Sequence, residues 1–287
     1  MKKCILIAIR YSVLFSAKTK GFHLSNSQSD VANYKEVLFS KERMTLRENL
    51  FKRFTLPSLK SVFENTDPDI FFRVIVMASS ELPEEHKDFL FNVERENNDW
   101  LSLQFMEPDK VNYGKAIYNT ILNMFEEQEF FCATVRLDDD DALYSGYCNT
   151  LKDMMDEEYD KSIVSFSCGY NVYVADCGDE IIGSSVYRHI KNSAGLAYVK
   201  KYNNFSDIIS DNIYTCGNHE KVDEFYRLID VNDCYSYIRV NTETSDRMYN
   251  LTPSERKNRL VVEFKKQKDK VPFRDVLEKF SIDILDI

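Results

Sequence analysis

Glycine and proline are scarce in this sequence, with 8 and 6 among 287 residues, which argues against a disordered, collagenous or many-turned all-β chain. Long hydrophobic runs are missing too. The apolar opening stretch Cys4–Ile9 is broken by Arg10 and falls far short of the ~20 residues that a membrane-crossing helix needs. Behind Met1–Lys3 it is also too short for a secretory signal, and no small-residue cleavage site follows it. No Cys-x-x-Cys pair occurs among Cys4, Cys132, Cys148, Cys168, Cys177, Cys216 and Cys234. Their odd number and irregular spacing argue against a disulfide framework or a thiolate zinc site, and for small apolar fillers in a reducing cytosol. An excess of basic charge is absent as well. The formal net charge of −10 sets the chain against nucleic acid as a partner.

Several phosphate and hydrolase signatures are also missing. There is no G-x-x-x-x-G-K-[ST], no G-x-G-x-x-G, no G-x-S-x-G and no H-E-x-x-H. An EF-hand loop starting at Asp138 would need Gly at its sixth position and Glu at its twelfth, where Leu143 and Asn149 stand.

What is present is an alternation of strand and helix patterns. Cys4–Ile9, Phe71–Met77, Leu101–Phe105 and Phe130–Leu137 are apolar runs of buried-strand type. Between them, 43–64 carries Leu46, Leu50, Phe51, Phe54, Leu59 and Phe63 near helical spacing, with Pro57 marking a kink or a second helix start. Leu82-Pro83-Glu84-Glu85 reads as a helix start, and Tyr113–Phe125 repeats apolar residues at helical spacing. Residues 16–33 read as a loop. Tyr147–Glu157 reads as helix and Ile163–Val174 as a long strand or hairpin. This order predicts an α/β domain over 1–250, a mostly parallel sheet flanked by helices. A basic helical C-terminal extension, 251–287, follows it.

The strongest chemical signal is Arg136-Leu137-Asp138-Asp139-Asp140-Asp141-Ala142-Leu143. Four adjacent carboxylates repel one another unless a cation, a proton or water relieves them. On an extended segment Asp138 and Asp140 point one way and Asp139 and Asp141 the other. Carboxylate oxygens suit Mg²⁺ or Mn²⁺, which keep open positions for phosphate oxygens. The block also ends a strand, and ligands of parallel sheets sit beyond the carboxyl ends of strands.

A strand ending in Leu-Asp-x-Asp-Asp, about 130 residues into an alternating chain, resembles the Asp-x-Asp motif of GT-A (Rossmann-like) glycosyltransferases. Ile9-Arg10-Tyr11-Ser12-Val13, Arg53-Phe54-x-x-Pro57-Ser58-Leu59, the aspartate block and Ser245-Asp246-Arg247, in that order, resemble the putative rhamnosyltransferase family over about residues 5–250. One departure is that Val240 stands where that family carries a histidine, within Tyr237-Ile238-Arg239-Val240-Asn241. The resemblance implies a metal-dependent transfer of a sugar from a nucleotide-diphosphate donor, UDP- or dTDP-linked, to a glycan or lipid-linked glycan acceptor. It implies a place in bacterial surface polysaccharide synthesis.

The residues that would carry this are named accordingly. Asp138, Asp140 and Asp141 are the metal candidates, with His219 as a late histidine ligand. Arg10, Tyr11 and Ser12 follow the first strand, where a phosphate and a base would lie. Ser79 and Arg136, with Asp138, complete the donor side. Asp176, Asp179 and Glu220 are candidate bases for the acceptor hydroxyl. His86 reads as a surface residue. The cysteine usage suggests a cytoplasmic enzyme, and the basic tail suggests peripheral contact with an anionic membrane face. A metal-dependent phosphohydrolase or nucleotidyltransferase, or a non-catalytic sugar- or nucleotide-binding protein on the same fold, is the alternative.

Overall fold

The computed structural model describes residues 1–16, 31–122, 129–175, 178–245, 248 and 251–283. Its first half follows the expected alternation. Strand β1 (Lys2–Tyr11) is followed by helices α1 (Val31–Leu38), α2 (Lys41–Leu50) and α3 (Leu56–Asn65). Then come β2 (Ile70–Ser79), α4 (Glu84–Glu96), β3 (Leu101–Met106), α5 (Tyr113–Ile121) and β4 (Phe130–Asp138). The expected helical residues 123–125, and 17–30 of the expected loop, lie outside the described residues.

The helix pattern around Pro57 is one continuous rod with a π-helical turn, Phe51–Thr55, joining α2 to α3. Proline has no N–H to give, and its ring clashes with the carbonyl one α-turn back. A wider turn just before it removes that clash without breaking the rod.

β1 is apolar without alternation because both of its faces are buried. Ile5, Ile7, Ile9 and Tyr11 pack with Met44, Phe51, Leu59 and Val62 of the rod. Cys4, Leu6 and Ala8 pack with Ala116, Ile117 and Ile121 of α5 on the other face.

The second half adds β5 (Ala142–Leu143), α6 (Tyr147–Lys152), β6 (Ser162–Phe166), β7 (Cys168–Ala175), β8 (Glu180–Arg188), β9 (Leu196–Tyr202), β10 (Arg227–Val231) and β11 (Tyr237–Thr242). Seven strands form the main sheet in the order β10-β6-β9-β4-β1-β2-β3. Among its described strands only β9 runs against the others, pairing antiparallel with both β4 and β6. The sheet is therefore mixed, though mostly parallel. The expected long strand at 163–174 is two strands in two sheets. The chain leaves β6 at Ser167, whose N–H donates to Val231 O at 3.0 Å, and enters β7.

The C-terminal extension consists of α7 (Pro253–Lys265), β12 (Lys270–Val271) and α8 (Phe273–Lys279). It is helical apart from β12, which joins a second sheet, ordered β12-β8-β7-β11-β5. A capping box, Thr252 with Glu255, starts α7. Leu46, Leu50 and Phe54 of the rod face this second sheet, the α8 residues Val276 and Leu277, and Phe280 at the end of α8. The rod thus lies between the two sheets, and its polar side chains there must find partners.

Candidate active site

The strand order places the site. β1 is followed to one side by β2 and β3 and to the other by β4, so the order reverses between β1 and β4. Ligands of such sheets bind beyond the carboxyl ends of the strands at that reversal. The two strands there end opposite each other, with Arg10 paired in register to Asp138.

The four aspartates form a turn rather than an extended segment. The Asp141 N–H donates to Asp138 O at 3.2 Å, and the chain then crosses to the second sheet, where Leu143 and Ala142 pair with Tyr237 and Ile238. Asp139 and Asp141 point inward and are buried, while Asp138 and Asp140 stay partly exposed. Thr55 Oγ1 donates to Asp139 O at 3.1 Å, and Leu143 N donates to Ser58 Oγ at 3.4 Å. The rod next to Pro57 therefore pins the turn from both sides.

Arginines meet these carboxylates. Arg10 Nη2 and Arg136 Nη2 lie 3.3 and 3.7 Å from the same oxygen, Asp138 Oδ1. Burial alone would raise the Asp138 carboxyl, but Arg136 and then Arg10 hold it well below the usual carboxylate range. Asp139, only 1 % exposed, is ion-paired with Arg47, and burial pushes its carboxyl up against the pull of Arg47 and Arg43. Burial, opposed by Arg47 and reinforced by Asp139 and Asp138, pushes Asp140 up to about 7. Burial also raises Asp141 well above its ordinary value, and it accepts the Val240 N–H at 3.1 Å. Arg239 acts on Asp141 in the opposite sense. Five guanidiniums (Arg10, Arg43, Arg47, Arg136 and Arg239) thus act on four acidic side chains, of which Asp138 alone is held below its ordinary pKa.

Sequence reasoning missed Arg43, Arg47 and Arg239. The signal for the first two was present, since arginines four apart on a helix share one face, here within the apolar pattern of the rod. Aromatic rings were missed as well. Arg10 sits over the Tyr214 ring at 5.5 Å, Tyr214 packs on Tyr113 at 4.6 Å, and Tyr214 Oη donates to Ala8 O at 2.8 Å.

On the other side of the turn stand the acids and histidines of the loop before β9 and of a 3-10 turn, His219–Glu224. Glu220 Oε1 lies 3.4 Å from His219 Nε2 and 4.0 Å from His189 Nε2. Burial, then Arg136, lowers the His219 pKa, so its imidazole is neutral at pH 7. His189 stacks on Tyr187, whose hydroxyl accepts from Arg239 Nη1 at 3.2 Å.

Two donor-side expectations need correction. Tyr11 is fully buried, edge-on to Phe51, and offers no face to a base. Ser79 is fully buried and its Oγ accepts the Glu81 N–H, so its hydroxyl closes a turn. Ser12 has another character. It holds a left-handed φ of 46° with its Oγ buried and unpartnered among the described residues, a strain of about 1 kcal/mol or more for a non-glycine. Asp179 is 84 % exposed beside Arg53. Asp176, and Asp246 and Arg247 of the last resembling stretch, lie outside the described residues. His86 is buried rather than on the surface, with Nδ1 2.8 Å from Glu48.

Among the described residues no three His, Cys, Asp or Glu side chains form a ready cage for a cation. Asp138 and Asp140 nonetheless fit a hard ion that draws its other ligands from phosphate and water. They are the two partly exposed carboxylates of one turn, and the crowded, raised acid of Asp140 is what a cation would relieve.

Residues 5–250 match the family described as "Putative rhamnosyl transferase", and the chain belongs to that family; it is a glycosyltransferase. No curated protein gives a match. Among solved structures, the chain is similar to S. aureus TarS 1–349 in complex with UDP-GlcNAc, with 12 % identity, 98 % of this chain and 70 % of that one covered, and a TM-score of 0.40. It is also similar to the mannosyltransferase PcManGT from Pyrobaculum calidifontis in complex with GDP-Man and Mn2+, with 11 % identity, 96 % and 68 % covered, and a TM-score of 0.38. A third similar structure is the inositol-1-phosphate CTP transferase from T. maritima, with 11 % identity, 93 % and 97 % covered, and a TM-score of 0.33.

Proposed function

We propose that this glycosyltransferase takes a UDP- or dTDP-linked hexose or deoxyhexose, rhamnose included, and passes it to a hydroxyl of a glycan or lipid-linked glycan in bacterial surface polysaccharide synthesis. The observation that carries the reading is the pairing of Asp138 with Arg10 and Arg136 at the β1–β4 reversal. Guanidiniums there suit the diphosphate. Ser12 offers a hydroxyl at the same strand end, and the Tyr113–Tyr214 pair flanks Arg10.

Asp138 and Asp140 hold Mn²⁺ or Mg²⁺ in this reading, with Asp141 behind them and His219 as a further candidate. When bound, the ion supplies neutralisation of the charge that gathers on the departing diphosphate. Across the turn, Glu220 is the favoured base for the acceptor hydroxyl, because His219 links it to Arg136 and Asp138. Asp179, exposed beside Arg53, is the alternative, as is Asp176. No helix among the described residues is long and apolar enough to cross a membrane. The exposed Arg259, Lys265, Lys266 and Lys268 of the tail fit peripheral contact with an anionic membrane face, where a lipid-linked acceptor resides.

The test is calorimetry of UDP, dTDP, GDP and CMP, each with and without Mn²⁺, on the native protein and on Asp140→Ala. One nucleoside diphosphate should bind with Mn²⁺ and lose at least about tenfold in affinity in the variant, the low end of one lost charge-assisted contact. Equal binding by folded Asp140→Ala would remove the metal from this reading. Phosphate release by water without an acceptor would favour the phosphohydrolase.

A further inference from the structure

The carboxylate best placed to meet a cation is already engaged. Asp138 Oδ1 has Arg10 Nη2 at 3.3 Å and Arg136 Nη2 at 3.7 Å. Neither arginine is a loose surface side chain. Arg10 leaves the end of β1, its register partner across the ladder is Asp138 itself, and its guanidinium rests on the Tyr214 ring. Arg136 stands two residues before Asp138 on β4, so both side chains project from one face of the strand. Two fixed positive charges within 4 Å of one oxygen oppose the approach of a dication to that oxygen. A diphosphate is the ligand that reverses this. Its oxygens accept from guanidiniums in the geometry a carboxylate offers, and it brings negative charge that draws the cation in.

We infer that Arg10 and Arg136 act as a guard on Asp138, and that nucleoside-diphosphate binding exchanges the pairs. The guanidiniums pass from Asp138 to the phosphates, and Asp138 is thereby released to the cation. This rests on the reading of the turn as a metal and diphosphate site. It goes beyond it by stating that the cation cannot enter well alone and that Asp138 competes with the nucleotide for the same two arginines. By linkage, each ligand must strengthen the other by the same factor.

The exchange gives effects of opposite sign. Mn²⁺ binding is read by the electron paramagnetic resonance of free Mn²⁺, and UDP and dTDP binding by calorimetry. In the native protein, Mn²⁺ should bind at least tenfold tighter with the preferred nucleotide than without it, within the usual range of about 5–150-fold for coupled sites. Arg10→Gln and Arg136→Gln should each tighten binding of Mn²⁺ alone and weaken binding of nucleotide alone. Asp138→Asn, which removes the negative charge both guanidiniums share, should tighten binding of nucleotide alone and abolish its coupling to Mn²⁺. Either arginine variant leaves Asp138 its second partner, and circular dichroism with a thermal midpoint confirms that each variant is folded. Mn²⁺ that binds equally with and without nucleotide, or arginine variants that leave binding of Mn²⁺ alone unchanged or weaker, would overturn the guard and leave the metal reading intact. No Mn²⁺ binding by folded native protein with either nucleotide would overturn both.

Discussion

Replacing Arg47 by Met isolates one carboxylate whose fate can be worked out. Asp139 is 1 % exposed, Arg47 is its ion-pair partner, and the Asp139 Oδ2 atom is buried without a partner among the described residues. Without the guanidinium the folded protein must keep a buried carboxylate with only Arg43 to offset its charge, or protonate it. The first choice costs about 3–5 kcal/mol. The second costs the free energy of loading a proton that the unfolded chain releases near an ordinary aspartate value of about 3.9. At pH 7 that is about 4 kcal/mol, at 1.36 kcal/mol for each pH unit. The two routes are close at neutrality, and the raised native carboxyl and Arg43 both reduce the difference, so the deficit should be at most about 3–4 kcal/mol there. On acidification the protonated route becomes cheaper, and by pH 5.5 the deficit should fall to about 2 kcal/mol. The sign follows from the direction of the shift. A carboxyl with a raised folded pKa stabilises below its unfolded value and loses that contribution as pH rises, so the variant should weaken between pH 5.5 and 7.5. Urea unfolding at 25 °C across that range measures the deficit, and Asp139→Asn added to Arg47→Met should recover at least half of it at pH 7. A deficit below about 1 kcal/mol, or one that does not change with pH, would refute this account of the pair.

Three other outcomes follow from the same structure. Glu220→Gln should slow transfer to the acceptor by about 10²–10⁴-fold while nucleotide affinity stays within about twofold, which steady-state rates and calorimetry separate. Gly114→Ala should cost about 3 kcal/mol in urea unfolding, because a Cβ there would stand 2.0 Å from the backbone Ile209 O, which cannot step aside. Gly183→Ala, at φ +156° with Phe264 Cζ 2.2 Å from the new methyl, should push that ring off its seat. Trypsin should then cut within α7 faster than in the native protein, at a stability cost of about 1–3 kcal/mol.

The first half of the fold was legible because β1, β2 and β4 are buried on both faces, and a continuous apolar run is what such strands require. The same property hid the break at Ser167. β6 and β7 are both buried throughout, so no change of period marks where the chain leaves one sheet for the other. The aspartate block announced the candidate site, but the Asp141-to-Asp138 hydrogen bond bends it into a turn that alternation does not describe. Tyr11 and Ser79 looked available because they end strands, yet the rod lies over one and a turn closes on the other. Arg47 went unread because its role depends on a carboxylate 92 positions away, and local spacing carries no trace of such a partner.

The π-helical turn Phe51–Thr55 also has a bearing on what lengths of chain this protein can tolerate. An α-helix turns by about 100° for each residue. Were the same residues wound as ordinary α-helix, everything N-terminal to the segment would be swung by about that angle relative to α3. Leu46 and Leu50 would leave the second sheet, and Arg47 would rotate away from Asp139, although no contacting residue had been changed. The extra residue in the winding therefore works as a phase setting between two halves of one rod. A sequence variant one residue shorter there would return to plain α-winding and keep the alignment of charge at the turn, whereas one residue longer would lose it while keeping every side chain that makes it.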